Sequence, residues 1–367
     1  MNNPQRVNPQ TARCCNTRDE TGRGRLKDPF WKNKRVLVTG AGGFIGSHLV
    51  EALIARGSHV RALVKYNSRN SWGYLDSLSD EQRRRCEVVL GDITDPFSAR
   101  EWVEGCAVVF HLAALIAVPY SYRSPASYAE VNVRGTLNIL EACRAARVKR
   151  LIHTSTSEVY GTALEVPIDE NHPLQGQSPY AASKIASDKF AESYCRSFDS
   201  PVTIARPFNT YGPRQSARAI IPTIITQALA GDKVRLGAQE PVRDFTYVSD
   251  TVRGLLALAQ CEAATGKVVN LGSGCGVSIG DLAHKIIAIL GRTGILPLKS
   301  ARRMKIVTDK SRLRPSESEV MQLICDASLA RSLTGWQPEI SIEQGLKQTI
   351  EWIRQNLDEY RIGAYVL

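Results

Sequence analysis

Residues 35–57 read RVLVTGAGGFIGSHLVEALIARG, and they decide the fold. A short aliphatic run ends at Gly40. The glycines at 40, 43 and 46 then lead into a stretch whose apolar residues recur at helical spacing. Glycines directly after a strand and at the start of a helix let the backbone turn tightly and approach a pyrophosphate. The free N–H groups and positive end of the helix stabilise its charge. The pattern predicts a dinucleotide-binding strand–turn–helix unit.

Outward from this unit, short apolar β-branched runs alternate with amphipathic stretches: HVRALV (59–64), CEVVLGD (86–92), AVVFHLAA (107–114), a helical span near Ser127 to Ala146, and RLIHTSTS (150–157). Continuous apolar strands separated by helices indicate a parallel sheet covered on both faces, an α/β, Rossmann-type doubly wound domain. Beyond Pro207 the elements become irregular. Helices are expected near Ile220–Ala230, Thr251–Ala259, Ile279–Leu290 and Ile342–Asn356, with a loop-rich stretch from Gly294 to Glu319. The expected organisation is a mobile tail over residues 1–30, a nucleotide-binding domain over 31–206 that holds the catalytic residues, and a smaller C-terminal substrate-binding lobe over 207–367. Some segments of that lobe return to the first domain.

The 367 residues are 43% hydrophobic and 23% charged, enough for a full core. No apolar run reaches the roughly 18 to 20 residues of a membrane span, and no apolar leader is evident, so a cytoplasmic protein is expected. The nine cysteines are scattered without paired C-x-x-C spacing, which argues against a disulfide framework or a metal site. The net charge is +11, but its basic residues are spread along the chain. An anionic small molecule accounts for the sign without nucleic acid or membrane.

At the second strand's end, ALVKYNSRN (62–70), Val64 and Lys65 stand where a carboxylate would bind the ribose hydroxyls of NAD. Lys65, Ser68 and Arg69 suit a 2′-phosphate, so NADP is favoured over NAD. Asp92, after the third strand, is a plausible adenine contact. In SPYAASKIASDKF (178–190), Tyr180 and Lys184 are four residues apart and share one helix face. An ammonium group near a phenol lowers the phenol's pKa, making Tyr180 a base for a substrate hydroxyl. Thr156, at the carboxyl end of a parallel strand, can hydrogen-bond that same hydroxyl. His111, in an apolar strand, reads as a satisfied core histidine.

With these residues the chain resembles the extended short-chain dehydrogenase/reductase family acting on nucleotide sugars. The resemblance spans about residues 34–357 through TGAGGFIGSH, GDITD, HLAA, STSEVYG, YAASK, ARPFNTYGPRQ, RDFTYVSD, NLGSG and a late RPSE. It implies an NAD(P)-dependent enzyme whose cofactor contacts include Phe44, Ile45, Ile93, Leu112, Ala113 and Ala114 as well as the groups above. Asn209, Arg243 and Arg314 match positions that hold a nucleotide-diphosphate sugar. A homodimer is implied through the helices Ser127–Ala146 and Pro179–Phe198.

Glu158 bears on the reaction: two positions after Thr156 on a strand, it would point to the same face. The pair Ser157–Glu158 is similar to that of the GDP-mannose 4,6-dehydratases. The resemblance implies transient oxidation at C4, removal of the C5 proton by Glu158 with loss of the C6 hydroxyl, and return of hydride to C6. Ser157 or Glu158 would protonate the leaving hydroxyl. The stretch from His153 to Lys184 resembles dehydratases of legionaminic-acid-type pathways, implying a UDP- or GDP-linked N-acetylglucosamine. A UDP-glucuronate decarboxylase and a nucleotide-sugar 4-epimerase are the alternatives within the family; a non-catalytic NADP-sensing protein is the alternative outside it.

Overall fold

A computed structural model describes residues 29–360. Six strands come first: β1 (Arg35–Thr39), β2 (His59–Val64), β3 (Cys86–Leu90), β4 (Val108–His111), β5 (Arg150–Thr154) and β6 (Val202–Pro207). They are followed by β7 (Asn209–Tyr211), β8 (Lys233–Leu236), β9 (Val242–Tyr247), β10 (Val268–Leu271), β11 (Gly276–Ser278), β12 (Lys305–Thr308) and β13 (Gln322–Leu323). The aliphatic strands β1, β4 and β6 are buried along almost their whole length, as expected with helices on both faces.

The main sheet has seven parallel strands in the order β10-β6-β5-β4-β1-β2-β3. Strand order reverses between β1 and β4, and the carboxyl edge at such a switch point is where doubly wound sheets bind ligands. One apolar layer joins the helices Phe44–Ala55 and Val248–Gln260 to the sheet. The other forms around Leu37, Val109, Ile139 and Leu151. The lobe contributes a small sheet of β11, β9, β13 and β7, plus the pair β12–β8.

β10 pairs with β6 at one edge of the main sheet, the helix Val248–Gln260 packs in its apolar layer, and β6 ends at Pro207. Of the expected tail, residues 1–28 lie outside the described residues. Phe30 packs edge-on against the buried Trp31 with ring centroids 4.8 Å apart, so the fold begins before residue 31. The stretch 294–319 is less loop-like than expected. It forms a helix, Leu298–Arg303, and β12, whose Lys305–Thr308 pairs in parallel with β8. The span near 127–146 is one helical path interrupted by a π-helical segment, Ala129–Arg134.

Candidate active site

The glycine turn is shaped by close approach. Gly40 has φ +70°, and a Cβ there would lie 2.9 Å from the Ala113 nitrogen. A Cβ on Gly46 would lie 2.2 Å from the Gly40 oxygen. The helix Phe44–Ala55 starts at Gly43 with no side-chain cap, so its first N–H groups face the turn. A cradle that only glycine backbone can line, at a bare helix start beside the switch point, fits a dinucleotide pyrophosphate.

Across the turn, Thr39 Oγ1 accepts the Leu112 and Ala113 N–H groups at 3.1 Å each and lies 2.9 Å from His111 Nδ1. Thr136 Oγ1 donates to the Asn132 carbonyl, so it accepts from His111 Nε2 at 3.1 Å, and Thr39 donates to Nδ1. Burial holds His111 well below its ordinary pKa, and it is the satisfied core histidine expected.

At the ends of β2 and β3, Lys65 meets Asp92 across 3.3 Å. Burial acts against ionisation of Asp92, yet the Thr94 hydrogen bonds and Lys65 hold its carboxyl below the usual range. Ser68 and Arg69 are exposed in the following loop. Ile93 is buried against Gly135, and its carbonyl accepts Asn138 Nδ2 at 2.9 Å.

The helix proposed to carry the catalytic pair, Pro179–Phe198, starts where Ser178 caps the Ala181 N–H and Pro179 occupies the first turn. Tyr180 and Lys184 follow on one buried face. Lys184 Nζ donates to the Thr154 carbonyl at 2.8 Å, and burial lowers its pKa to about 8. Burial pushes the Tyr180 phenol up, while its hydrogen bond to Thr156 pulls it down. The acidifying effect expected from Lys184 is therefore not the main influence on Tyr180: the ammonium is tied to a backbone carbonyl, and Thr156 is the group that favours the phenolate. Tyr128 stands edge-on to Tyr180, with centroids 6.2 Å apart.

The expected geometry of Glu158 also changes. β5 ends at Thr154, and Thr156 Oγ1 accepts the Glu158 N–H at 3.3 Å, starting a 3-10 turn over Ser157–Tyr160. Glu158 reaches the site from this turn, not along a strand face. Its Oε2 lies 3.6 Å from Arg314 Nη1. Burial lowers the pKa of Arg243; Glu158 and Glu319 oppose that shift and Arg314 adds to it, so the four groups form one cluster. Arg243 Nη2 is 3.5 Å from Glu319 Oε1. Asn209, on β7, has a buried Nδ2 with no hydrogen-bond partner among the described residues. Ser157 is buried in the turn.

Several residues at this site were not singled out from the sequence. Asn132 clamps the loop after β4, exchanging hydrogen bonds with both backbone groups of Leu115 and donating to Ser183. Glu319 was also missed, although it lies five residues beyond Arg314. On the buried face of the helix Pro179–Phe198, Asp188 joins His153, Arg206 and Tyr160 in a buried polar group.

The GDP-mannose 4,6 dehydratase family profile matches residues 37–349. The dTDP-D-glucose 4,6-dehydratase of Homo sapiens is 32% identical over 333 residues, 89% of this chain and 92% of that protein. The UDP-N-acetyl-alpha-D-glucosaminuronate decarboxylase of Bacillus cytotoxicus is 33% identical over 331 residues, 88% of this chain and 98% of that protein. The crystal structure of DesIV, a dTDP-glucose 4,6-dehydratase of Streptomyces venezuelae with NAD bound, superposes with a TM-score of 0.78 at 29% identity, covering 89% of this chain and 99% of that one. Glycine cradle, tyrosine–lysine helix and family match agree: the chain belongs to the GDP-mannose 4,6-dehydratase family, the NAD(P)-dependent nucleotide-sugar dehydratases, epimerases and decarboxylases of the extended short-chain dehydrogenase/reductase fold.

Proposed function

We propose that the protein is a 4,6-dehydratase of a nucleotide-linked hexose, a UDP- or GDP-N-acetylglucosamine, yielding the 4-keto-6-deoxy sugar. One observation carries the reading: the Thr156 hydroxyl that bonds the Tyr180 phenol also accepts the Glu158 N–H at 3.3 Å, so a carboxylate side chain starts two residues from the group that orients the base. A bound nicotinamide supplies reversible oxidation at C4. Tyr180 takes the proton of the 4-hydroxyl, oriented by Thr156. The resulting ketone acidifies the C5 proton, which Glu158 removes. Protonated Glu158, with the Ser157 hydroxyl adjacent, then donates to the C6 hydroxyl, which departs as water; a nicotinamide bound there would return its hydride to C6, and a proton passed from solvent to C5 completes the 4-keto-6-deoxy sugar. Arg243 and Arg314 hold the diphosphate through planar forks, and Asn209 adds an amide donor.

NADP is favoured over NAD because β2 ends without a carboxylate and Lys65, Ser68 and Arg69 follow. Lys65 is already paired with Asp92, so only a small preference is expected. Comparing KM for the two cofactors tests it. Homodimerisation is proposed through the catalytic helix and its neighbour Gly135–Ala145, a face where Phe198 is half exposed beneath Arg144. Light scattering of the full chain tests it.

A decarboxylase reading draws on Arg314, whose guanidinium beside Glu158 would suit a sugar carboxylate. Incubation with UDP-GlcNAc, GDP-GlcNAc, GDP-mannose and UDP-glucuronate, followed by product mass, separates the readings. Loss of water supports the dehydratase, loss of carbon dioxide the decarboxylase, and an unchanged mass a 4-epimerase.

A further inference from the structure

The catalytic helix carries a second buried charge that the chemistry above does not use. Asp188 lies one turn beyond Lys184 and is fully buried. Its Oδ2 accepts Ser155 Oγ at 2.7 Å and Arg206 Nε and Nη2 at 3.2 and 3.0 Å. His153 Nε2 stands 3.2 Å from Oδ1, outside hydrogen-bond geometry. Arg206 Nη1 donates to Tyr160 Oη at 3.0 Å, and Tyr160 donates to Asn270 Oδ1 at 2.7 Å.

These contacts join three pieces of backbone. The helix bearing Tyr180 and Lys184 is tied through Asp188 to Ser155, the neighbour of Thr156, and to Arg206 on β6. The charges are also unequal. Burial keeps His153 and His111 below their ordinary pKa, leaving one carboxylate for two buried cations, Arg206 and Lys184. A structural ion pair with Arg206 needs no second cation. Lys184 does need an anion, because an isolated buried ammonium is strongly disfavoured, and Asp188 is the charge that offsets its burial.

We propose that Asp188 is a positioning residue for the tyrosine–lysine couple, docking the catalytic helix on the Ser155–Thr156 strand end and supplying the negative charge that keeps Lys184 an ammonium ion. This rests on Tyr180 and Lys184 being the reacting couple, but not on which sugar is turned over. The groups facing the couple are Asp188 on its own helix, His111 on β4, His153 on β5, Glu158 in the turn after β5, and Tyr128; Arg206 on β6 packs behind Asp188, with Tyr160 behind Arg206. The Asp188 carboxylate raises the proton affinity of both Lys184 and Tyr180, so removing it moves both titrations to lower pH.

The test is an NMR titration of 13C-lysine-labelled full-length protein, with the Lys184 signal assigned by Lys184→Arg. Asp188→Asn should lower the Lys184 midpoint by about one pH unit or more. That variant strands a buried guanidinium, so Asp188→Asn combined with Arg206→Gln, which replaces the ion pair by a neutral one, is read against Arg206→Gln alone, a comparison that removes only the carboxylate and carries the same expected displacement. Ser155→Ala removes a tether and keeps the charge, and Asp188→Glu keeps the charge outright; both should leave the midpoint in place. A midpoint that is the same in the doubly substituted protein as in Arg206→Gln overturns the proposal. Reduction of bound cofactor by the nucleotide sugars of the panel gives the kinetic counterpart. The Asp188 variant should lose kcat with KM unchanged and shift its pH profile to acid, whereas a lower rate with no shift marks a purely structural role. If no nucleotide sugar reduces the cofactor of the parent protein, the functional reading fails, and the titration still decides the role of Asp188.

Discussion

Replacing Glu158 by Gln keeps the shape of the side chain and removes its charge. In the folded protein this breaks one ion pair, with Arg314 at 3.6 Å. At an effective dielectric of about 20, that separation gives roughly 4 to 5 kcal/mol of attraction. The two side chains are 25% and 14% exposed, so desolvation and ordering cancel most of it and about 1 kcal/mol of net stability is at stake. A general base contributes about 10²- to 10⁴-fold in rate, or roughly 3 to 5.5 kcal/mol of barrier. The catalytic loss should therefore far exceed the loss of stability, and the protein should remain folded. A single-turnover assay follows cofactor reduction, deuterium entry at C5 and product mass. In Glu158→Gln, reduction should persist within a few-fold, while exchange and water loss fall by at least about 100-fold. Water loss within tenfold of the parent rate would refute Glu158 as the base.

Tyr180→Phe removes the proton acceptor for the first step, so reduction of bound cofactor by substrate should vanish while dinucleotide affinity, measured by calorimetry, changes little. Gly46→Ala puts a methyl group 2.2 Å from the Gly40 oxygen. The turn must open, and dinucleotide affinity should fall by about tenfold or more with little change in sugar-nucleotide binding. Lys184 is depressed to about 8. Its charged form is complete below that pH and disappears above it, so kcat should decline as pH rises through about 8. A pH–rate profile in which this limb is absent from the parent but present in Lys184→Arg would contradict the assignment.

The glycine turn was legible because its geometry admits nothing larger: Gly40 has a positive φ and Gly46 touches backbone. The tyrosine–lysine pair was legible because helical periodicity alone places i and i+4 on one face, and Ser178 and Pro179 mark the helix start. Glu158 lies in a different local structure from the one its sequence suggests. Alternation along a strand was assumed, but the strand stops at Thr154, and the Thr156 hydroxyl takes the next free N–H to begin a turn. Asp188 could not be found this way. In SDKF it reads as one more solvated charge on a helix, and its partners Ser155 and Arg206 are brought together only by the pairing of β5 with β6. The short strand β12 escaped for a related reason, since four residues of apolar bias, KIVT, carry no period of their own.

Charge balance at the sugar end bears on which substrate suits this site. Arg243 and Arg314 already face Glu158 and Glu319, so the cluster is close to neutral before any ligand enters. On the proposed reading a diphosphate brings negative charge that draws the guanidinium groups toward it. Arg314 then turns from Glu158, and the carboxylate is released to act on C5. A neutral hexose adds nothing to this balance. A uronic acid adds another anion beside two carboxylates whose cations are engaged by the diphosphate, and like charges in a half-buried site repel strongly. On the proposed reading the arrangement therefore favours a neutral sugar, and with it elimination of water over loss of carbon dioxide. On the proposed reading the Arg314–Glu158 contact, at first sight the best argument for a decarboxylase, is the resting pairing of a base with the arginine that the substrate's diphosphate claims.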